Sequence, residues 1–221
     1  MSLSRPLHSA FATLVMAGAL AAPAHAALPK PESIRPDLGV VIILNLDGRN
    51  NLPSLITNVL GAGLVYPLGP GTRWSFEPSV DFCWSYYELS NGRAVPSGIT
   101  QRQASVFTLL VEAPMVYSLP LGGKWAVGAG GGLALNIRIG FQAADDVSQA
   151  DVAAINAYLW SMGRFLMPST LARVEYRLND RVEFGFTARA LWPIFNVWAG
   201  EGLSLFDQGI FGAQLGVRYR F

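Results

Sequence analysis

His8, His25 and Cys83 are the residues of this chain best suited to acid–base, nucleophilic or metal chemistry, and their positions remove most of it. Both histidines fall within the first 26 residues, and Cys83 is the only cysteine. Imidazole is the usual general base near neutral pH and the usual activator of a serine, and zinc sites draw on His or grouped Cys. Neither resource exists past residue 26, so the expectation is no catalytic residue, no metal and no cofactor. Cys83 cannot form an intramolecular disulfide. It reads as a small interior filler, with intermolecular pairing as the alternative. Glu and Asp remain as potential bases, but they are interleaved with cations: Glu77, Asp81, Glu112, Glu175 and Glu183 against Arg73, Lys124, Arg138, Arg173, Arg177, Arg189, Arg218 and Arg220. All of these occupy the polar phase of period-two segments. The chemistry that pattern points to is ion pairing.

The elements that must position these groups are strands. Alternation of side chains between two faces is the mark of a β-strand. In 73–87, Trp74, Phe76, Val80, Phe82, Trp84 and Tyr86 oppose Arg73, Ser75, Glu77, Ser79, Asp81, Cys83 and Ser85. In 124–142, Trp125, Val127, Leu133, Leu135, Ile137, Ile139 and Phe141 oppose Lys124, Gly128, Gly130, Gly132, Asn136 and Arg138. Segments 182–190 and 211–221 repeat the pattern. Eight strands are predicted, at 37–46, 58–68, 73–87, 105–119, 124–142, 170–178, 182–195 and 209–221. Three short turns, 69–72, 120–123 and 179–181, alternate with four longer loops, 47–57, 88–104, 143–169 and 196–208. Gly128 to Gly132 carries no nucleotide-loop meaning, because no helix follows it; close backbone approach at a curved strand accounts for it.

Volume decides which face points outward. The apolar faces carry about fifteen aromatic rings, and an eight-stranded barrel has an interior only just wide enough for ordinary side chains. The rings therefore face out, toward lipid, while Gly, Ala, Ser and the charges fill the tube. Tyr66, Trp74, Tyr117, Trp125, Tyr176 and Phe184 flank the short turns as an interfacial aromatic girdle. Unpaired charges are not tolerated in so narrow a space. One lumen ion-pair network is expected from Glu77, Asp81, Glu112, Arg138, Arg173, Glu175, Arg189 and Arg218, with a plug as the structural reading and an ion path as the functional one.

The fold class is therefore all-β: an eight-stranded antiparallel up-and-down transmembrane β-barrel with short periplasmic turns and longer extracellular loops. A short helix is expected in the third long loop. Asp145 to Phe165 places Val152, Ile155, Leu159 and Met162 on one stripe, capped by Asp145, Asp146 or Ser148. That helix reads as a lid over the mouth, or as a surface contact for membrane, ligand or host. Residues 1–26 read as a signal peptide, with Arg5, an apolar core from Ala10 to Ala22 and Ala24-His25-Ala26 as the cleavage site. Residues 27–36, with Pro29, Pro31 and Pro36, read as a periplasmic leader, and 37–221 as the barrel. With 16 basic and 15 acidic residues in all, nucleic acid is not an expected partner.

On this architecture, and on the terminal run Gly216-Val217-Arg218-Tyr219-Arg220-Phe221, the chain resembles the small bacterial outer-membrane barrels: the membrane domain of outer-membrane protein A and the proteins X and W. In that family a final Phe with alternating apolar residues is similar to the signal read by the barrel-assembly machinery, here Val217, Tyr219 and Phe221. The resemblance implies the cell outer membrane, with lipid and lipopolysaccharide around the wall and the secretion and assembly machineries as transient partners. Barrel enzymes of that membrane resemble one another in needing a histidine. Three functions follow in order: a structural or surface-interaction barrel; passive transport or binding of small hydrophobic molecules through mouth or wall, a host surface ligand being another possible guest; and a histidine-free enzyme.

Overall fold

The computed structural model describes residues 30–46, 55–202 and 204–221. The expected signal peptide and most of the first long loop lie outside them. The strands are β1 (Ser33–Ile43), β2 (Leu55–Pro67), β3 (Trp74–Phe76), β4 (Ser79–Ser90), β5 (Arg93–Ser97), β6 (Ala104–Gly122), β7 (Trp125–Gln142), β8 (Leu166–Arg177), β9 (Val182–Leu191) and β10 (Ile210–Arg220). One helix, α1 (Gln149–Trp160), lies between β7 and β8. β3 and β4 share one place in the wall, and β5 folds back on β4, so the ring has eight positions. Every pairing in it is antiparallel, and β1 closes it by pairing with both β2 and β10.

Alternation sets the wall. Along β7, Trp125, Ala129, Leu133, Leu135, Ile139 and Phe141 are exposed while Gly128, Ala134, Asn136, Arg138 and Gly140 are buried. The β6–β7 ladder keeps one register from Ala104↔Gln142 to Pro120↔Ala126. That register holds all the rings on one face, since a slip of one residue would turn every side chain over.

Four expectations need correction. The first strand begins at Ser33, so residues 33–36 belong to the wall and not to a leader. Pro36 has no amide to give, and the β1–β10 ladder opens between Ile34↔Tyr219 and Asp37↔Gly216 while the β1–β2 ladder runs unbroken. Proline is accommodated where only one neighbour is denied a bond. The third strand is split at Glu77-Pro78 for the same reason. Bonds from Leu64 N to Pro78 O (2.9 Å) and Glu77 N to Pro114 O (3.0 Å) carry the sheet across the break. The loop expected at 88–104 contains β5, whose five residues are all buried and so show no alternation. Strand nine stops at Leu191, and Ile194–Val197 turns into a single 3-10 turn.

The third-loop helix is present but shorter than 145–165. Ser148 caps it, accepting from Ala150 N at 3.2 Å. Val152, Ile155, Tyr158 and Leu159 are its buried residues. Met162 is not on that stripe: the helix has ended, and Met162 is exposed with φ 53°. Beside the helix, β7 overtops β8. Their ladder ends at Leu135↔Leu166, leaving β7 an open edge. Side chains and loop complete it: Gly140 N donates to Asn156 Oδ1 (2.8 Å), Asn156 Nδ2 to Gly140 O (2.9 Å), Trp160 Nε1 to Arg138 O (2.9 Å) and Asn136 N to Phe165 O (2.7 Å). An uncovered edge presents a row of unpaired backbone groups.

Candidate functional site

The interior is stacked in three layers, and the charged one lies toward the short turns. Glu77 is its hub. Its carboxylate accepts from Arg35 Nη1 (2.9 Å), Arg173 Nη1 (2.6 Å), Arg173 Nη2 (2.9 Å) and Ser75 Oγ (2.7 Å). From Arg173 the chain of charge passes to Glu175 (3.1 Å), to Arg218 (3.9 Å) and to Glu183 (3.5 Å). Glu183 also takes Arg177 (3.1 Å) and Arg220 (2.8 Å). A second group sits beside it: Arg189 reaches Asp81 at 2.6 Å and Glu112 at 3.4 Å, and Gln214 donates to Asp81 at 2.8 Å. Gln214 Oε1 completes the set by accepting from Arg189 Nη2.

These groups come from six wall positions; β2 contributes glycine where they need room. At Gly61 a Cβ would stand 1.9 Å from Asp81 Oδ1 and 2.8 Å from Asp37 Oδ1. The two carboxylates fold over the bare backbone there. Asp37 in turn lies 3.8 Å from Arg35.

Seven of the eight residues expected in the network are thus brought together, and Arg138 is not. It is 5% exposed, yet no carboxylate of the described residues lies within 4.0 Å of it. Its Nη2 donates to the Arg164 carbonyl at 3.3 Å. Arg138 pairs with Thr108, four residues along β6 from Glu112, which is about 13 Å at strand rise. Arg73, Lys124 and Arg177, expected inside, are exposed at the turns; Arg73 donates to Tyr117 Oη (3.3 Å), Lys124 to the Leu178 carbonyl (3.1 Å), and Arg177 reaches back to Glu183. Arg35 and Asp37 were missed. The signal was there: Arg35 and Asp37 alternate with Ile34, Pro36 and Leu38, but the prolines nearby masked it.

Above the charges lies an apolar layer. Val41, Ile43, Val59, Leu110, Met167, Leu191, Phe195 and Ile210 pack as one buried cluster, with Cys83 half-buried against it. A cavity of about 20 Å³ remains between this layer and Arg138, room for about one water.

The third layer is a cap. Ile155, Tyr158 and Leu159 of α1 pack on Tyr87, Ala94, Ala104 and Val106, which line the upper mouth. Tyr158 Oη is its polar centre: it accepts from Arg93 Nε (3.3 Å) and Gln208 Nε2 (2.8 Å) and donates to Glu201 Oε2 (3.0 Å). Arg93 pairs with Asp207 at 2.5 Å, Arg164 pairs with Glu201, and the Arg164 guanidinium stacks 3.9 Å from the Tyr158 ring centre. Ile155 and Leu159 lie on the stripe expected of the helix, but nothing in the sequence pattern marked Arg93, Tyr158, Arg164, Glu201, Asp207 or Gln208.

The outer surface is the reverse of the interior. Trp74 and Tyr117 meet with ring centres 5.2 Å apart, Trp125 and Tyr176 at 4.9 Å, and Tyr66 lies 6.3 Å from Phe76, all beside short turns. Phe184, Val217, Tyr219 and Phe221 are exposed on the same band. Toward the other rim Phe82, Trp84 and Phe107 form a second group. Apolar side out and charge inside is the pattern of the small membrane barrels.

The chain has that fold. Neisserial surface protein A, from Neisseria, superposes over 86% of this chain and 96% of its own with a TM-score of 0.52 at 12% identity. OprG of Pseudomonas aeruginosa covers 87% of this chain and 98% of its own (TM-score 0.47, 13% identity), and Ail of Yersinia pestis 86% and 99% (TM-score 0.44, 12% identity). No protein-family model matches the sequence, and no curated protein matches it. At these identities the likeness is one of fold, and function rests on the barrel's own interior and surface.

Proposed function

We propose that this chain is an integral outer-membrane β-barrel with a structural or surface-interaction role, its lumen plugged by the ion-pair network and its loops presented outside. The observation that carries this reading is the inversion of the wall: rings and aliphatics outward, guanidiniums and carboxylates inward. Lipid is the solvent that accepts such an exterior, and a closed ring leaves no unpaired strand edge in it. The plug reading draws on two layers in series, a charged one whose carboxylates all have a guanidinium within reach and an apolar one with space for about one water. Kinship with proteins A, X and W, residues 1–26 as a cleaved export signal, Val217, Tyr219 and Phe221 as an assembly signal, and lipopolysaccharide as a neighbour of the wall belong to the same reading. It is also non-enzymatic. Past residue 26 there is no imidazole, and Glu77, Asp81, Glu112, Glu175 and Glu183 are each held by an arginine.

A second reading, binding or sideways passage of small hydrophobic molecules, has one observation in its favour. The wall carries an outward apolar groove of about 360 Å³ at the opened β1–β10 seam, edged by Pro36, Leu38, Leu60, Phe184 and Leu215. Planar-bilayer recordings on the purified protein separate the readings from an open pore. No discrete conductance steps are expected, and regular steps would overturn the plug. Uptake of a hydrophobic fluorophore by barrel-containing liposomes faster than by empty ones would favour the second reading over the first.

A further inference from the structure

The cap has two unlike sides. Above β4 to β7 the loops are mainly polar, with Asn91, Asp145, Asp146 and Gln149 exposed and Ile99 a single large apolar residue among the exposed ones. Above β8 to β10 the wall strands stop short, at Leu166 and Leu191, and the segments 160–166, 192–202 and 204–206 stand in their place. Their charges turn inward: Arg164 is fully buried, and Glu201 is held between Arg164 and Arg93. Phe195 enters the apolar layer, but their other large apolar residues turn outward, Trp160, Met162, Val197, Trp198, Leu205 and Phe206 among them, with Val197 75% and Trp198 55% exposed. A loop bathed in water shows the opposite sorting.

Two further observations tie this surface to the wall. Trp192 rests on the outside of the barrel, its Nε1 donating to Thr170 Oγ1 (3.0 Å) and its ring 5.9 Å from Phe211 and 6.0 Å from Phe206. All three loop indoles spend their N–H within the protein: Trp192 on Thr170, Trp160 on the Arg138 carbonyl (2.9 Å) and Trp198 on the Met162 carbonyl (2.9 Å). What they expose is hydrocarbon alone. A ring meant for water or for the polar side of an interface would leave that donor available.

We propose that segments 160–166, 192–202 and 204–206 form a lobe seated in lipid, with Trp198, Val197, Leu205 and Phe206 among the acyl chains at the headgroup boundary of the outer leaflet. The proposal rests on the membrane reading of the wall and adds that one side of the cap is immersed while the other is in water. Continuity with the apolar wall, and the pairing of the lobe's two described charges, Arg164 and Glu201, with each other, favour lipid over a protein partner.

Nitroxide labels test it on the folded barrel in phosphatidylcholine vesicles. In a Cys83→Ser background, Val197→Cys and Leu205→Cys are compared with Leu215→Cys on the wall and Asp145→Cys on the polar side. Collision with oxygen is expected to exceed collision with a water-soluble nickel chelate at 197, 205 and 215, and the order to reverse at 145. Water-like behaviour at 197 and 205 with lipid-like behaviour at 215 overturns the lobe and leaves the membrane reading standing. Water-like behaviour at 215 overturns both. Should the labelled variants fail to fold, Trp198→Phe gives an independent readout. It is expected to remove fluorescence that brominated acyl chains quench; removal of an acrylamide-quenched component instead overturns the proposal.

Discussion

Glu77 and Arg173 meet across the lumen through two hydrogen bonds of 2.6 and 2.9 Å, and both are at most 2% exposed. Glu77 also holds Arg35, so its removal leaves two buried guanidiniums each with one remaining carboxylate, Glu175 for Arg173 (3.1 Å) and Asp37 for Arg35 (3.8 Å). Breaking a buried pair from one side costs about 3–5 kcal/mol, more than the pair itself contributes. Glu77→Ala is expected to lower the urea midpoint of the heat-dependent gel shift by a corresponding amount. In Glu77→Leu with Arg173→Met, Arg35 retains Asp37, and much of the loss is expected to return. A double-mutant coupling near zero would mean that the two side chains act independently.

Gly61 and Gly128 provide a matched pair of tests. Alanine at 61 would drive its methyl into the Asp37 and Asp81 carboxylates, while at 128 the nearest atom is an ordinary 3.4 Å away. Overpacking of this kind costs about 1–3 kcal/mol. Gly61→Ala is expected to be destabilised to that extent in urea titrations, and Gly128→Ala by clearly less. Equal effects would show that the two carboxylates yield without cost.

Asn156 stands in for a strand residue at the β7 edge. Asn156→Leu keeps the bulk of the side chain but leaves the Gly140 amide and carbonyl without those partners. A buried unsatisfied group costs about 1–3 kcal/mol. Hydrogen exchange at Gly140 is expected to accelerate while exchange at Leu133, lower in the same strand, stays unchanged. Unaltered exchange at Gly140 would mean that the edge is protected by other means.

Removal of the helical cap is expected to leave the barrel closed to ions. Replacing residues 145–162 with a short Gly-Ser turn exposes the apolar layer of Val41, Leu110 and Ile210 but leaves it, and the charges beneath, in place. Planar bilayers containing this variant are expected to stay silent, and steady conductance would show that the cap is the seal.

The wall was legible in the sequence because one variable, the period of two, governs it. Segment 124–142 could be assigned face by face, and β7 follows that assignment most clearly from Leu133 to Phe141, while Lys124 at its foot turns out to the surface. The failures have separate causes. At Ser33–Pro36 the proline density outweighed an alternation that was present. Arg93–Ser97 is covered on all sides, which erases the contrast on which periodicity depends. Arg138 shares the polar phase of its strand with glycines lower down, and phase does not report height. Tyr158, Arg164, Glu201 and Asp207 converge from loops far apart in the chain, through contacts that no local spacing encodes.

The partners in the charged layer are distant in sequence: 96 residues separate Arg173 from Glu77, 108 separate Arg189 from Asp81, and 185 separate Arg218 from Ser33. Neighbouring strands neutralise some of these groups, Arg218 through Glu183 and Arg173 through Glu175 of its own strand, but Glu77 and Asp81 meet their arginines only across the lumen, so a half-finished sheet would present those two acids bare to hydrocarbon. Only the completed circle brings Glu77 to Arg173 and Asp81 to Arg189. The polar centre therefore acts as a proofreader of closure: two of its carboxylates find their arginines only across the finished ring.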